Sequence, residues 1–174
     1  LRARLEGGIR NKAARGELRK ALPVGLQWGE EEGEILLDPD EAVRGAIGTI
    51  FDRFAELGSV RQVWLWMRRE GVQFPMRRFA HGEIEWAVAT YHQIHSVLDS
   101  PVYAGAYAFG KTRRERYVDE HGNTRQRMRR LPQAEWGVLI WNHHPGYIDQ
   151  ATYERNRERI AGMLRDGLDP FDPR

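Results

Sequence analysis

A chain of 174 residues with 41% hydrophobic residues is long enough to bury one core, and it lacks the run of about 18 apolar residues that a membrane span needs. With no cysteine, it can form neither a disulfide nor a thiolate metal site, which is typical of cytoplasmic proteins. The net charge of +2 is too small to define a partner, so the distribution of charge along the chain is more informative than its sum.

The first predicted element is a helix over residues 1–14. Leu1, Leu5 and Ile9 recur at helical spacing, with arginine and lysine between them. Gly16 favours an end just beyond this pattern, because glycine adopts the left-handed conformation that closes many helices. We interpret the pattern as the end of a longer helix.

A hairpin and a strongly amphipathic helix follow. Residues 24–37 place short apolar runs on both sides of the acidic turn GEEEGE, which is typical of a β-hairpin. Asp38 is the predicted N-cap of a helix over residues 40–57, with Pro39 at its first position. Phe51 lies in the middle of the single apolar stripe of this helix and is predicted to be buried.

Three further helices are predicted from their caps. Ser59 begins a helix over residues 59–70, and the short turn before it makes the two consecutive helices a helical hairpin. Thr90 begins a third helix, which Pro101 stops. Asp149 begins the last helix, QATYERNRERIAGML.

The remaining segments predict short strands. VQFPMRRF, GEIEWAVA, YAGAYAFG and EWGVLI are bounded by turn residues or by helices. Residues 111–130 are polar and cationic around the turn EHGN, and they predict either a flexible hairpin or a disordered loop. The fold class is therefore α+β: a small helical core with short antiparallel strands and a flexible basic loop.

Catalytic chemistry has little support in the sequence. Ser59 is explained as a cap, while Ser96 and Ser100 have no triad-like partners nearby. His143 and His144 are adjacent, so on a strand they point to opposite faces and cannot easily bind one metal together. A structural role for this pair before a Pro-Gly turn is favoured, and a hydrolase using either histidine is disfavoured. No phosphate-binding glycine motif occurs, so no cofactor is expected.

Charge is strongly segregated along the chain. Residues 1–20 hold seven Lys and Arg against two Glu, and residues 111–130 hold eight against three Asp and Glu. Residues 27–58 hold two Arg against nine Asp and Glu. Two basic segments beside one compact core indicate a polyanionic partner such as duplex DNA. The candidate DNA-binding residues are Arg15, Arg19, Lys20, His92, Gln93, Lys111, Arg113, Arg114, Arg116, Arg127 and Arg129, with His92 and Gln93 as exposed candidates for reading bases.

The order of motifs resembles the recombinase domain of the large serine recombinases, the site-specific integrase family. The resemblance covers roughly residues 15–160. It is carried by Gly16, Pro23 and Gly25, then DPDEAVRGAIGTIFDRFAELGS, VWLWMRREGV, Trp86 and IHSVLDSPVYAGAYAFGK. Ser100 stands where the family usually has Asn, and Val24 and Leu26 stand where it often has an aromatic residue.

The resemblance implies a division of the chain into three parts. Residues 1–14 correspond to the end of the long helix that leaves a catalytic domain, and residues 15–164 to the DNA-binding recombinase domain. Residues 165–174 correspond to a linker toward a cysteine-rich zinc ribbon. The implied function is sequence-specific binding of duplex DNA at a recombination half-site, in the cytoplasm and associated with the nucleoid. The fragment itself is then not an enzyme and is a monomer, while its parent acts as a homodimer or tetramer.

The alternative belongs to a different class. The acidic stretch 27–58 could dock a basic partner protein, and the basic segments would then be solvated only. Retention on duplex DNA at near-physiological salt separates the two interpretations.

Overall fold

The computed structural model describes residues 2–79 and 82–165, and it has the α+β architecture that the sequence predicts. The described helices are α1 (Arg2–Ala14), α2 (Glu41–Leu57), α3 (Val60–Arg69), α4 (Tyr91–Asp99) and α5 (Gln150–Arg165). The strands are β1 (Leu26–Trp28), β2 (Ile35–Leu37), β3 (Gln73–Arg77), β4 (Ile84–Val88), β5 (Tyr107–Phe109), β6 (Thr112–Val118), β7 (Thr124–Arg130) and β8 (Val138–Ile140). The expected linker falls mostly on residues 166–174, which lie outside the described residues.

The strands pair in twos, always antiparallel. β1 pairs with β2, β3 with β4, β6 with β7, and β5 with the distant β8. The first three pairs are local hairpins, whereas β5–β8 closes a long loop that contains the whole β6–β7 hairpin. The basic segment therefore projects from a fixed base.

The α2–α3 hairpin forms as predicted, but its first cap is Asp40 instead of Asp38. The Asp40 carboxylate accepts a hydrogen bond from the Ala42 amide at 2.8 Å. Asp38 is buried, and its own amide donates to Gly25, so it ends the β1–β2 hairpin and cannot begin the helix. Ser59 caps α3 by accepting from the Gln62 amide.

The core lies between α2, α3, α4 and the segment that follows α4. Phe51 is only 6% exposed, as predicted, and its ring packs edge-on against Tyr103 and parallel to Tyr147. Ile47, Ile50 and Phe54 of the same stripe are fully buried. Burial of such side chains is the main favourable term for a domain of this size.

The segment after α4 is shorter as a strand than the sequence predicts. Residues Pro101–Ala104 form a 3₁₀ turn, and the strand β5 begins only at Tyr107. Gly105 has a φ of 81°, which interrupts the extended backbone. Pro101 stops α4 as predicted and begins this turn.

Three tyrosine hydroxyls hold the chain between α1 and β1 against the core. Tyr103 donates to the Val24 carbonyl at 2.7 Å, and Tyr147 donates to Gly25 at 2.6 Å. Tyr107 donates to the carbonyl of Leu18 at 3.1 Å. Burial raises the pKa of Tyr147 to about 12, so this hydroxyl stays protonated and donating at neutral pH.

Among the described residues, the helices are all too short or too polar to cross a membrane.

Candidate nucleic-acid interface

The segment 111–130 forms a regular β-hairpin, which is the first of the two structures that its composition predicts. Seven residue pairs align from Thr112 and Arg130 at its base to Val118 and Thr124 near its tip. Asp119 fixes the tip, because its carboxylate accepts from the amides of residues 121 and 123 at 3.0 and 2.9 Å. Whether the hairpin moves in solution stays a prediction.

Strand pairing gives the hairpin two faces with different chemistry, since partners directly opposite each other share a face. We call one the paired face; it consists of Arg113, Glu115, Tyr117, Arg125, Arg127 and Arg129. We call the other the open face; it consists of Thr112, Arg114, Arg116, Val118, Thr124, Gln126, Met128 and Arg130.

The arginines of the paired face mostly bind neighbours in the hairpin. Arg127 donates to Glu115 at 3.0 Å and stacks on the Tyr117 ring, with 5.1 Å between guanidinium and ring centre. Arg129 also approaches Glu115, at 3.9 Å. Arg125 forms an ion pair of 2.5 Å with Asp119 and lowers the pKa of that carboxyl. Exposed pairs of this kind are weak, but they occupy the guanidinium groups.

The open face contains no carboxylate. Within residues 2–79 and 82–165, Arg114 and Arg116 form no hydrogen bond or ion pair, and the same holds for Arg113 on the paired face. Met128 and Val118 lie beside these arginines and are 62% and 65% exposed. The predicted phosphate-binding residues are therefore divided: Arg113, Arg114 and Arg116 are available, whereas Arg127 and Arg129 have intramolecular partners.

The base of the hairpin borders a cleft of about 830 Å³ that reaches the first turns of α4. Lys111 lies half-buried there with its ammonium group 4.9 Å from the centre of the Trp136 ring. Burial lowers the pKa of Lys111, and the nearby Asp99 carboxylate partly opposes this effect. Thr112 and Arg130, the first pair of the open face, line the same cleft.

The two candidate base-reading residues on α4 also line this cleft but differ in their surroundings. His92 is exposed, as expected. Gln93 is half-buried, so the expectation that it is exposed is wrong: its side chain accepts from the Thr90 amide and donates to the Met76 sulfur. It completes a capping box with Thr90, which leaves its amide little freedom to bind a base.

The N-terminal basic residues are largely engaged with the protein itself. Arg15 pairs with Glu17 at 2.8 Å and lowers the pKa of that carboxyl. Arg19 donates to the Gly29 carbonyl at 2.6 Å. The ammonium group of Lys20 is half-buried over the Tyr107 ring, 5.0 Å from its centre.

Lys20 and Lys111 bring the two basic segments together beside β5. Burial and the neighbouring charge of Lys111 lower the pKa of Lys20 to about 8. Two ammonium groups that repel each other in a partly buried place form a site that favours an anion.

The histidine pair lies in a turn after β8, so the expectation that the two rings point to opposite faces of a strand is wrong. The two Nδ1 atoms are 2.9 Å apart. His143 Nε2 contacts the Gly16 carbonyl at 2.9 Å, and His144 Nε2 contacts that of Val102 at 2.8 Å. Both rings therefore link distant parts of the backbone, which is the structural role that the sequence favours.

Gly16 is required for this contact. Its φ is 72°, and a Cβ atom there would lie 2.6 Å from the His143 ring. The end of α1 thus packs directly against the turn after β8.

Two arginines that the sequence did not single out border the cleft. Arg130 is one position beyond the predicted set, and strand pairing assigns it to the open face. Arg157 on α5 reaches the cleft and forms an ion pair with Asp99 at 3.3 Å. The first follows from the hairpin register, but nothing local in the sequence of α5 indicates the second.

Comparison with known proteins places the chain in a family. The family model described as Recombinase matches residues 41–163. "Uncharacterized protein y4bA/y4pH" of Sinorhizobium fredii (strain NBRC 101917 / NGR234) is 36% identical over 180 residues, a match that covers 100% of this chain and 25% of the relative. The chain thus spans a quarter of the length of this relative.

Two solved structures share the fold. One, described as "Crystal Structure of a LSR-DNA Complex", has a TM-score of 0.56 and 17% identity, over 92% of this chain and 40% of that one. Another, from "Sequence Requirements of the Listeria innocua prophage attP site", has a TM-score of 0.57 and 16% identity, over 98% of this chain and 56% of that one. Because the family model extends from the start of α2 into α5, this chain belongs to the Recombinase family, and the resemblance to the recombinase domain of large serine recombinases is confirmed.

Proposed function

We propose that this domain binds duplex DNA at a recombination half-site, as the non-catalytic part of a serine site-specific recombinase. The observation that carries the proposal is the β6–β7 hairpin, which projects from the core and holds four arginines without a hydrogen-bond or ion-pair partner among the described residues: Arg113, Arg114, Arg116 and Arg130. Cations without intramolecular partners are the groups that gain most from a phosphate.

The acidic stretch 27–58 offers a weaker surface for a basic partner protein. Several of its carboxylates already bind cations of this chain: Glu32 binds Lys12, Asp38 binds Arg77, and Glu56 binds Arg53. These contacts offset part of the negative charge of the stretch, and its residues are divided between the β1–β2 hairpin and α2. DNA binding by the basic hairpin is therefore favoured over docking through the acidic residues.

The proposed parent protein carries the catalytic serine outside this chain and acts as a homodimer or tetramer on DNA. Leu5 and Ile9 of α1 are 68% and 39% exposed, which suits a helix that packs against another domain. In this proposal the fragment is a monomer without a cofactor, and it cleaves no DNA by itself.

A salt titration of binding to a recombination half-site duplex of the parent protein tests the proposal. The observed binding constant of the wild-type chain should fall steeply with salt, each neutralised phosphate adding about −0.9 to the log–log slope. The double variant Arg113→Ala/Arg114→Ala should bind more weakly to all sequences, with a slope smaller by about 1.8.

The matched control removes two exposed cations from α3, by Arg61→Ala/Arg69→Ala. This control lowers the net charge by the same amount as the Arg113/Arg114 variant. Its residues are on α3, which packs on α2 and α4 and lies outside the basic segments. Equal affinities and slopes for the wild type and the Arg113/Arg114 variant would remove the hairpin from the interface and favour the acidic-surface interpretation.

A further inference from the structure

We infer that the open face of the β6–β7 hairpin enters the major groove of duplex DNA, with the paired face turned away from the bases. The inference rests on the proposed DNA binding and specifies the surface and the groove. It assigns base contact to Gln126 and Met128, which carry no charge and were not expected to bind DNA, and contact with the phosphates that border the groove to Arg114 and Arg116.

The arginines on the two faces of the hairpin differ in their intramolecular hydrogen bonds and ion pairs. Arg114 and Arg116 are exposed and form no hydrogen bond or ion pair with the described residues. On the other face Arg127 and Arg129 share Glu115, and Arg125 binds Asp119. DNA contact through the paired face would bring Glu115 toward phosphate, whereas contact through the open face would bring no carboxylate.

The open face carries a mixture of cationic, amide and apolar side chains. Glutamine forms paired hydrogen bonds to adenine edges, apolar side chains contact the thymine methyl group, and arginine binds the phosphates beside them. The open face alternates these types across the strands: Arg114 lies opposite Met128, and Arg116 opposite Gln126. A surface that binds only phosphate has no use for the exposed Met128 and Val118 between its cations.

The width of the β6–β7 ribbon suits the major groove better than the minor groove. A two-stranded antiparallel ribbon fits the major groove, which is about 12 Å wide, and is too broad for the minor groove at about 6 Å. Each strand has seven residues, or about 23 Å at about 3.3 Å per residue, which is enough to follow several base pairs.

The base of the open face borders the same cleft as the exposed side of α4. The pair Thr112 and Arg130 at the base of the open face lines the same cleft as His92 and Ser96. A duplex lying along the open face would therefore pass near the exposed first turns of α4.

The test compares two double variants that remove the same charge from opposite faces: Arg114→Ala/Arg116→Ala and Arg125→Ala/Arg127→Ala. The probe is a duplex selected by the 174-residue chain from a random-sequence pool. We expect the open-face variant to reduce the log–log slope of the binding constant against salt concentration by about 1.8. The paired-face variant should reduce the same slope by less than about 0.9. Both variants change exposed residues, and thermal unfolding of each variant should match that of the wild-type chain.

A second measurement distinguishes the groove. A duplex whose cytosines carry glucosylated hydroxymethyl groups has a filled major groove but unchanged phosphates. Wild-type affinity should fall at least about tenfold on this duplex, and the open-face variant should lose much less. The uncharged variant Gln126→Ala/Met128→Ala should keep the wild-type salt slope but lose preference for the selected duplex over a scrambled one.

The outcomes separate the inference from the proposed function. A wild-type chain without salt-dependent binding to any duplex overturns both. Salt-dependent binding with equal slopes for the two double variants, or with unchanged affinity for the groove-filled duplex, overturns only the assignment of the open face.

Discussion

The two basic segments of this domain carry the same excess charge but hold it in opposite ways. Residues 1–20 contain seven Lys and Arg against two Glu, and residues 111–130 contain eight against three Asp and Glu. In the first segment Arg15 and Arg19 bind groups of the protein itself, and Lys20 is half-buried. In the second, the open face of the hairpin presents its arginines to solvent.

This difference shows that a count of charges along a chain does not give the charge that a partner can reach. Residues 15–20 of the N-terminal segment are fastened to the core, so their substitution should change stability before it changes binding, whereas Arg4 and Arg10 on α1 are exposed. The hairpin contacts little besides itself, so its substitution should change binding and leave stability nearly intact.

The largest expected effect is on the core under the fastened segment. Phe51 packs on Tyr103 and Tyr147, whose hydroxyls hold Val24 and Gly25. Phe51→Ala should lower the free energy of unfolding by about 3–5 kcal/mol, because it leaves a cavity among these rings. Chemical denaturation measures the effect, and Arg114→Ala on the hairpin is the control, with a change within about 0.5 kcal/mol. A loss of less than about 1 kcal/mol for Phe51→Ala would contradict the packing described here.

Amide hydrogen exchange should separate the hairpin from the core. The amides of residues 113–127 belong to a ribbon exposed on both faces, so local opening costs little there. We expect protection roughly 100-fold lower than in the buried stripe of α2, and an increase on addition of DNA. Strong protection across the hairpin in the free protein would mean that it is held as firmly as the N-terminal segment.

Local signals in the sequence predict the elements well. The caps Ser59, Thr90 and Asp149 each accept a hydrogen bond from the first turn of the predicted helix, because this interaction involves residues only two or three positions apart. The exception is the start of α2, where both Asp38 and Asp40 precede the helix. Tertiary contact decides between them, since the Asp38 amide pairs with Gly25.

The candidate site is less predictable, because it depends on register and on distant contacts. The cationic segment indicates a DNA-binding surface, but only the pairing of β6 with β7 divides its arginines between two faces. The expectation that Gln93 is exposed is wrong, although Thr-x-x-Gln is the local signature of the capping box that holds its side chain. The contacts of Lys20 with Tyr107 and of His143 with Gly16 join residues far apart in sequence, and no local pattern indicates them.

A smaller effect tests how the N-terminal segment is fastened. Tyr103→Phe removes the hydroxyl that donates to the Val24 carbonyl at 2.7 Å and leaves that carbonyl without this partner. The free energy of unfolding should fall by about 0.5–1.5 kcal/mol, which is the net contribution of one hydrogen bond, because Val24 is half-buried and its carbonyl can then bind water. The matched change Tyr117→Phe on the hairpin alters a hydroxyl at a 37% exposed position and should have no measurable effect on unfolding. Equal effects of the two changes would show that the hydroxyl does not hold the segment.

The smallest effect concerns Lys20, the residue where the two basic segments meet. Its pKa of about 8 in the folded protein lies below the ordinary lysine value of 10.5, so the folded chain binds fewer protons than the unfolded chain between these values. Stability should therefore rise with pH across this window, and Lys20→Met should abolish that contribution. DNA binding should show the opposite dependence, because a nearby phosphate favours the charged ammonium and binding then takes up a proton.

Affinity for a duplex should accordingly fall as pH rises above about 8, by up to about tenfold at one pH unit above this value if Lys20 meets phosphate. Titration calorimetry at pH 8 in buffers of different ionisation enthalpy measures the proton uptake directly. Lys20→Arg keeps the charge at all these pH values and should give a flatter profile, with only the contribution of Lys111 remaining. A wild-type affinity that is unchanged from pH 7 to 9 would place Lys20 outside the interface. The fastened segment would then serve only to hold the domain together, and DNA contact would belong to the hairpin and its cleft.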